Sequence, residues 1–210
     1  MYIQITTVCN MHCAHCGFSC EHNGEYMSRK VWMTALRLYH GDTLVMGGGE
    51  PTLHPDFDRM LKEVVATYEW NYHWLKSKPS IVTNGTHKQR SLYLLQLTLE
   101  SKIDAYLSYD QYHNMNMVDD EVFVKYETNN RLWGYKERQP SSIVKSGRGR
   151  NIEGTLYECL CPTNVISPNG DVRLCGCDDS PIIGTIFKHK DISHEYDMFK
   201  CIRDYKRMGA

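Results

Sequence analysis

Short apolar runs alternate with longer helical patterns through the first half of the 210-residue chain. The runs contain β-branched and aromatic residues, and turn residues follow each of them. They predict four strands, at residues 2–6, 43–46, 80–83 and 105–108. Strands that alternate with helices are typical of βαβ units, so we expect an α/β fold with a parallel sheet.

Three helical patterns separate these strands. They lie near residues 28–40, 56–70 and 88–101, and Ser28 and Asp56 are residue types that favour the N-cap position at two of the starts. The chemically interesting residues follow the carboxyl ends of the strands. In barrels and open α/β sheets, active sites are built at that edge, so we expect these residues to meet there.

The pattern weakens after residue 115, where segments 122–124 and 143–145 predict two further strands. A complete eight-stranded barrel usually needs about 250 residues. Six strands therefore predict a partial (β/α)6 barrel of the TIM type, which we place at residues 1–145. Residues 146–210 hold five of the nine cysteines and predict a small cysteine-rich extension that needs a metal to fold.

The composition limits which partners and which cellular compartment the sequence supports. Lys and Arg number 24 against 25 Asp and Glu, so the net charge gives no support for a nucleic-acid partner. The sequence shows neither an apolar run of the ~20 residues that span a bilayer nor a signal-peptide pattern, so we expect a cytoplasmic protein without a membrane partner. Thiols stay reduced in the cytoplasm, and nine cysteines there indicate metal binding or catalysis before disulfides.

Three cysteines follow the first strand at the spacing C-x3-C-x2-C: Cys9, Cys13 and Cys16. Three thiolates on one tight loop can hold three irons of a cubic cluster and leave the fourth iron open, whereas a fully ligated electron-transfer cluster needs a fourth cysteine. Cys20 is close enough in sequence to be that ligand. Thiolates also suit structural zinc, which needs four ligands. For zinc, the candidates for the fourth ligand are His12, His15, Cys20 and His22.

Three consecutive glycines, Gly47 to Gly49, follow the second predicted strand and precede Glu50 and Pro51. Glycines let a ligand approach the backbone closely, and their carbonyls and amides become available to it. A carbonyl or carboxylate here can accept a hydrogen bond from an ammonium group. On its own, a triple glycine before Glu-Pro more often marks a plain tight turn.

Taken together, these segments resemble the radical S-adenosylmethionine (SAM) superfamily. The matching pieces occur in the family's order within residues 1 to about 115. They are the Cys9, Cys13 and Cys16 spacing, segment 48–53, Thr83-Asn84-Gly85 and Ser108-Tyr109-Asp110. His15 stands where the family often has an aromatic residue, and its imidazole can still lie beside the adenine.

The resemblance implies that Cys9, Cys13 and Cys16 hold a [4Fe–4S] cluster whose open iron is chelated by SAM. It further implies that one electron cleaves SAM to methionine and a 5′-deoxyadenosyl radical, which abstracts a hydrogen atom from a substrate C–H bond. The SAM-binding residues that it implies are Gly48, Gly49 and Glu50 at the methionyl ammonium, Thr83 and Asn84 near the methionine or ribose, and Ser108.

The tail carries a second pattern. Cys159 and Cys175 flank a segment centred on Pro168-Asn169-Gly170, which predicts a β-hairpin that brings the two cysteines face to face. With the upstream segment 146–150, it resembles the SPASM or twitch extension of many radical SAM enzymes. Five cysteines fit one auxiliary [4Fe–4S] cluster better than two, and a four-thiolate zinc ion is the competing interpretation. The auxiliary ligands that the resemblance implies are Cys159, Cys161, Cys175 and Cys177, with Cys201 as an alternative.

Three residues are candidates for catalytic contact. Asp110 and His113 follow the fourth strand and can reach substrate or SAM, although a hydrogen-bonded loop explains them equally well. Cys20 can donate a hydrogen atom to a substrate radical, but a lone cysteine is more often a packing residue. The basic stretch 145–150 offers charges for a phosphate or carboxylate, and a solvated turn is its commoner explanation.

We therefore expect a radical SAM enzyme that modifies a peptide, a protein or a small molecule. A nucleoside or modified nucleic-acid base ranks second as the substrate, and a zinc-stabilised binding module without activity is the alternative outside enzymes. The enzyme interpretation requires an electron donor such as flavodoxin or ferredoxin.

Overall fold

The computed structural model describes residues 1–39, 43–71, 77–134, 136–155 and 164–188. Eight strands are present in these ranges: β1 Tyr2–Thr6, β2 Val45–Gly48, β3 Ser80–Thr83, β4 Asp104–Ser108, β5 Leu132–Trp133, β6 Val165–Ile166, β7 Asp171–Arg173 and β8 Ile182–Thr185. The α-helices are α1 Arg29–Arg37, α2 Phe57–Asn71, α3 Lys88–Leu99 and α4 Asp120–Thr128.

All eight strands join one sheet in the order β5-β4-β3-β2-β1-β6-β7-β8. Neighbours from β5 to β6 pair in parallel, and β7 and β8 add antiparallel strands at one edge. The α/β class with a mostly parallel sheet is therefore confirmed. Because the strands are parallel, their carboxyl ends lie at one edge of the sheet, where a site can be assembled from the loops that follow them.

The core of the sheet is a row of apolar side chains in register. Ile3 pairs with Met46, Met46 with Ile81 and Ile81 with Ala105, and all four are fully buried. Such continuous burial is typical of parallel strands that are covered on both faces. The apolar runs that predicted the strands are thus the segments that hold the sheet together.

The first helix begins where its cap residue predicts. The Ser28 hydroxyl accepts a 3.3 Å hydrogen bond from the backbone N–H of Val31, which satisfies one of the unpaired donors at the start of α1. Trp32 is fully buried against the sheet, and its indole nitrogen donates to Glu63 of α2 at 2.7 Å. The two helices are thereby held together on the sheet.

Two strand predictions are wrong. Segment 122–124 lies inside α4, where the Asp119 side chain caps the first turn, and the buried residues Val122 and Tyr126 are four positions apart on one face. Segment 143–145, inside the described range 136–155, forms none of the eight strands. The fifth and sixth parallel strands are instead the two-residue strands β5 and β6.

The second strand is displaced from its prediction. It begins at Val45 rather than residue 43 and continues through Gly48, so Gly47 and Gly48 extend β2 and only Gly49 lies in the bend after it. At the carboxyl edge of the sheet, β2 therefore ends in backbone without side chains.

The predicted hairpin is present between β6 and β7, with Val165 opposite Arg173. Gly170 closes its turn with φ of 91° and donates its N–H to the Ser167 carbonyl at 2.9 Å. Cys175 is fully buried just after β7, and Cys177 is also buried. The remaining predicted tail ligands, Cys159, Cys161 and Cys201, lie outside the described residues. Among the helices in the described ranges, none is long and apolar enough to cross a membrane.

Candidate functional site

A cavity of about 230 Å³ opens at the carboxyl ends of the central strands. Its wall brings together residues from four separate motifs of the sequence. They are Cys9, Cys13 and Cys16 from the loop after β1, Gly48, Gly49 and Glu50 at the end of β2, Asn84 after β3, and Ser108 at the end of β4. The expectation that these motifs meet at one edge of the sheet agrees with this arrangement.

The loop after β1 is held by its own backbone. The Cys9 N–H donates to the Glu21 carbonyl at 2.9 Å, and the Cys13 N–H donates to the Met11 carbonyl at 2.7 Å. Met11 is buried and packs with Leu107 and other apolar residues under the loop. Cys9, Cys13 and Cys16 each remain partly exposed to the cavity.

Two of the three thiols of this loop, Cys9 and Cys13, ionise less readily than a free cysteine. Burial, reinforced by the charges of Cys9 and Cys16, raises the pKa of Cys13 to about 12. Burial also raises the pKa of Cys9. Neighbouring thiolates repel one another in a low-dielectric site, so ionising all three is favourable when a metal centre compensates their charge. Three sulfur ligands on one cavity wall therefore fit an iron–sulfur cluster.

Cys20 is buried beside Cys16 and also lines the cavity. The two thiols interact, and this contact lowers the pKa of Cys16 to about 5. The same contact, with burial, raises the pKa of Cys20. From the sequence, Cys20 is either a fourth cluster ligand or a hydrogen-atom donor. In the structure it lies next to Cys16, one of the three candidate ligands.

Two glycines allow the end of β2 to press against the backbone of β1 and its loop. A Cβ on Gly48, whose φ is 147°, would lie 2.1 Å from the Thr6 carbonyl oxygen. A Cβ on Gly49 would lie 2.3 Å from the Val8 carbonyl oxygen. Only glycine fits at these positions, and both residues also line the cavity.

Glu50 is almost fully buried and is held by four hydrogen bonds. Its Oε1 accepts from the Thr52 N–H at 3.0 Å, the Thr52 hydroxyl at 2.5 Å and the Thr83 hydroxyl at 2.8 Å. Its Oε2 accepts from the Asn84 N–H at 2.6 Å. Burial raises the pKa of Glu50, and the hydrogen bonds oppose that shift. A carboxylate offers about four acceptor sites over two oxygens, so Oε2 keeps room for another donor.

Asn84 connects this carboxylate to the cysteine loop. Its side-chain Nδ2 donates to Asn10 Oδ1 at 3.0 Å and lies 3.9 Å from Cys9 Sγ. Asn10 in turn donates to Thr86 Oγ1 at 2.9 Å. No local pattern in the sequence points to Asn10 or Thr86, because their role depends on contacts between residues 76 positions apart.

Asp110 lies at the rim with a set of cationic and imidazole partners. Its Oδ1 accepts from the Tyr112 N–H at 2.9 Å and is 2.8 Å from His113 Nδ1. Its Oδ2 is 3.6 Å from His15 Nε2 and 3.6 Å from Arg138 Nη1. Burial opposes ionisation, but the contact with His113 and the nearby charges lower the pKa of Asp110 below its ordinary value.

His15 occupies the cavity wall in the neutral form, because burial lowers its pKa to about 4. Its ring lies 4.9 Å from the His113 ring and 5.2 Å from the Tyr112 ring, measured between centroids. The ligand atoms of His15, Asp110 and His113 lie within 4.8 Å of one another. Arg138 already compensates the single carboxylate of this group, which argues for a hydrogen-bonded network and against a divalent ion there.

The solvated turn expected for the basic stretch 145–150 is wrong for one of its members. The Arg148 side chain is directed at the cysteine loop, where it donates to the Cys13 and Cys20 carbonyls at 2.9 and 3.0 Å. Arg150 is exposed and pairs with Asp178. The contacts of Arg148 join residues 135 and 128 positions apart, so no local pattern could have revealed them.

Solved structures show the same fold. Native anSMEcpe with bound AdoMet and Cp18Cys peptide is 16% identical, with a TM-score of 0.59 over 98% of this chain and 81% of that one. Native anSMEcpe with bound AdoMet alone matches at 16% identity and a TM-score of 0.59, over 98% and 82% of the two chains. The form with bound Kp18Cys peptide matches at 15% identity and 0.56, over 98% and 81%.

No curated protein resembles the chain closely enough in sequence to count as a relative. The Radical SAM superfamily, in contrast, matches residues 3–129, which include the cysteine loop, the glycine segment and the ends of β3 and β4. The chain therefore belongs to the radical SAM superfamily and is an iron–sulfur-dependent enzyme.

Proposed function

We propose that Cys9, Cys13 and Cys16 bind a [4Fe–4S] cluster and that SAM binds beside it, against the end of β2. Bound together, these cofactors supply a 5′-deoxyadenosyl radical that abstracts a hydrogen atom from a substrate C–H bond. The observation that carries the proposal is that the three cysteines and the two glycines lie on one cavity wall. The sheet, in this proposal, is the partial (β/α)6 barrel expected from the sequence.

The residues around the thiols hold the loop for this task. Asn84 and Asn10 fix its first turn through their side-chain hydrogen bond. The apolar side chains of Met11, Val45 and Val82 line the same cavity. An apolar cavity wall matters because a reactive radical would be quenched by any unintended hydrogen-atom donor near it.

Gly48, Gly49 and Glu50 are the proposed site for the methionyl part of SAM. The two glycines line the cavity with backbone, which a ligand can approach closely, and Glu50 Oε2 has acceptor capacity for the ammonium group. Asn84 and Ser108 line the same cavity and are proposed contacts farther along SAM. Thr83 is fully buried and donates to Glu50, so we assign it the role of holding that carboxylate in place.

The rim residues are proposed to face adenine and substrate. His15 is neutral at physiological pH and presents a flat ring at the cavity wall, which suits stacking on the adenine. His113 lines the same cavity, and Asp110 fixes its orientation through a 2.8 Å contact. His113 is therefore our first candidate for contact with the substrate.

A peptide or protein is the proposed substrate class. The support is the fold shared with anSMEcpe, which was solved with bound Cp18Cys and Kp18Cys peptides. If peptides are not modified, the alternatives are a small molecule, or a nucleoside or modified nucleic-acid base. An electron donor such as flavodoxin or ferredoxin completes the proposed reaction, which we place in the cytoplasm.

The tail is proposed to hold one auxiliary [4Fe–4S] cluster as a SPASM or twitch extension over residues 146–210. Its proposed ligands are Cys159, Cys161, Cys175 and Cys177, with Cys201 as the alternative. The buried positions of Cys175 and Cys177 beside the β6–β7 hairpin support this proposal. Sulfur ligands shielded from solvent are typical of cluster sites.

Anaerobic purification followed by metal analysis tests the function. We expect a brown protein that contains iron and that releases 5′-deoxyadenosine when SAM and a strong reductant are added. A Cys13→Ala variant should release none. Zinc at both cysteine sites, with no visible absorption, would contradict the proposal and favour a binding module.

A further inference from the structure

A short segment of the tail is packed against the cysteine loop. The Arg148 N–H, in the 3₁₀ helix Gly147–Asn151, donates to the Cys16 carbonyl at 3.0 Å, and the Ser146 hydroxyl donates to the Gly17 carbonyl at 2.8 Å. A Cβ on Gly147, whose φ is 53°, would lie 2.4 Å from the Cys16 carbonyl oxygen. The backbone of this segment thus lies directly on the backbone of the loop.

The Arg148 side chain adds a fork of two further hydrogen bonds. Its Nε donates to the Cys13 carbonyl at 2.9 Å and its Nη1 donates to the Cys20 carbonyl at 3.0 Å. Its Nη2 is buried and has no hydrogen-bond partner among the described residues. One guanidinium group therefore bridges the loop from Cys13 to Cys20, and its Nη2 remains without a hydrogen-bond partner in the described ranges of the chain.

The charge of Arg148 acts on the same loop. Its guanidinium lies against the loop, with Nε and Nη1 on the Cys13 and Cys20 carbonyls, so its positive charge is held close to the cysteines. In the described part of the chain, its ionic contacts include no carboxylate, unlike those of Arg150, which pairs with Asp178. A partly buried cation without an anionic partner is unfavourable, so the negatively charged ligands of the loop are its natural counterpart.

We propose that Arg148 is a positioning residue of the cluster loop. It fixes the carbonyls of Cys13 and Cys20 and places a positive charge beside a cluster whose three thiolate ligands are negatively charged. The inference rests on the proposed cluster at Cys9, Cys13 and Cys16. Reduction adds one negative charge to such a cluster, so a fixed cation beside it favours the reduced form. The two hydrogen bonds of the guanidinium fork and its positive charge have different effects. A substitution that keeps the charge and removes the fork therefore distinguishes them.

Two variants of Arg148 and one control test this inference in the full-length holoenzyme. Arg148→Met removes the fork and the charge, Arg148→Lys keeps the charge without the fork, and Arg150→Met removes an exposed charge two residues away. The midpoint potential of the cluster is measured by a redox titration followed by electron paramagnetic resonance. Loss of iron to a chelator is measured under anaerobic conditions.

We expect Arg148→Met to shift the midpoint potential to more negative values and to lose iron at least threefold faster than wild type. Arg148→Lys should restore the potential but not the iron retention, because an ammonium group cannot reproduce the planar fork. Arg150→Met should match wild type in both. If Arg148→Met does not fold, Arg148→Lys carries the test through its faster iron loss at an unchanged potential.

The results separate this inference from the proposed function. Wild-type potential and iron retention in Arg148→Met, or equal changes in Arg150→Met, would overturn the role of Arg148 while the wild-type protein still forms 5′-deoxyadenosine. Wild-type protein that binds no iron would overturn the proposed cluster, and the role of Arg148 with it.

Discussion

The backbone N–H of Asn84 donates a 2.6 Å hydrogen bond to the Glu50 carboxylate, and this contact joins the ends of two neighbouring parallel strands. Asn84 also reaches Asn10 in the cysteine loop through its side chain. Three loops that follow β1, β2 and β3 are therefore fixed relative to one another by one carboxylate and one amide. The proposed cluster and SAM sites depend on this network for their geometry.

Glu50→Gln should weaken both the fold and SAM binding. Glutamine has the same shape, but its amide nitrogen would face at least one of the four donors that now point at the carboxylate. An unmade buried hydrogen bond costs roughly 1–3 kcal/mol of unfolding free energy. We expect about tenfold weaker SAM binding, equivalent to roughly 1.4 kcal/mol, measured by calorimetry on the reconstituted protein.

Glu121→Gln is the control for this substitution. Glu121 is exposed on α4 and pairs with Lys88 and Lys125 at the surface, where such pairs contribute little to stability. Its SAM affinity should equal that of wild type. Unchanged SAM affinity in Glu50→Gln would remove Glu50 from the proposed binding site.

Gly49→Ala should disrupt the site through backbone crowding. The added methyl group would lie 2.3 Å from the Val8 carbonyl oxygen, and this oxygen belongs to backbone that cannot rotate away. Overpacking of this kind costs about 1–3 kcal/mol, and here the strain falls on the cysteine loop. We expect a lower melting temperature and less bound iron than wild type. Gly17→Ala is the matched control, because a Cβ at Gly17 meets no atom within 4 Å.

The elements that the sequence predicted well are those with long or fully buried patterns. Strand β1 and strand β3 have the predicted bounds, and α2 covers residues 57–71 against a predicted 56–70. The Val-Phe-Val run at 122–124 failed because three apolar residues fit a strand and a helix equally well. The burial of Val122 and Tyr126 on one face of the segment stabilises the helix.

The site was predictable to the extent that its residues lie in contiguous motifs. The cysteines, the glycine segment and Asn84 carry their spacing in the sequence and meet on one cavity wall. Arg148 and Arg138 reach the loop and Asp110 from distant segments, through contacts that only the folded chain creates. Such long-range partners leave no periodic or local signal, so the sequence assigned the basic stretch 145–150 to a solvated turn.

The stability of the protein should fall as the pH is lowered below about 6.5, and His54 contributes to this loss together with His15, whose pKa burial lowers to about 4. The His54 ring is buried, its Nδ1 accepts from the Asp56 N–H at 3.0 Å and its Nε2 donates to the Met27 carbonyl at 3.1 Å. Burial lowers the pKa of His54 below that of an unfolded histidine. The unfolded chain therefore takes up the proton first, and stability is lost as the pH falls towards the folded pKa.

Thermal melting at pH 8 and pH 5 measures this effect. His54→Asn should reduce the difference in melting temperature between the two pH values, since it removes the titrating ring. His22→Asn, at an exposed position, should keep the wild-type difference. An identical pH dependence in wild type and His54→Asn would show that other groups control it.

Cys20→Ala distinguishes a cluster ligand from a neighbour of one. Cys20 lies beside Cys16 and outside the C-x3-C-x2-C motif, so we expect its loss to leave iron binding and 5′-deoxyadenosine formation within about twofold of wild type, a difference of less than 1 kcal/mol. Cys13→Ala, in the same loop, should abolish both. Iron loss in Cys20→Ala as severe as in Cys13→Ala would identify Cys20 as the fourth ligand and leave no open iron for SAM.

Cys175→Ala tests the proposed auxiliary cluster. Cys175 is fully buried after β7, and its N–H donates to the Ser180 hydroxyl at 2.9 Å, a backbone contact that alanine retains. With two cubane clusters, the wild-type protein should contain about eight irons per chain, and Cys175→Ala about four. Formation of 5′-deoxyadenosine should persist, because the ligands Cys9, Cys13 and Cys16 are intact. Equal iron in both proteins, with zinc lost from Cys175→Ala, would assign the tail to a structural zinc site.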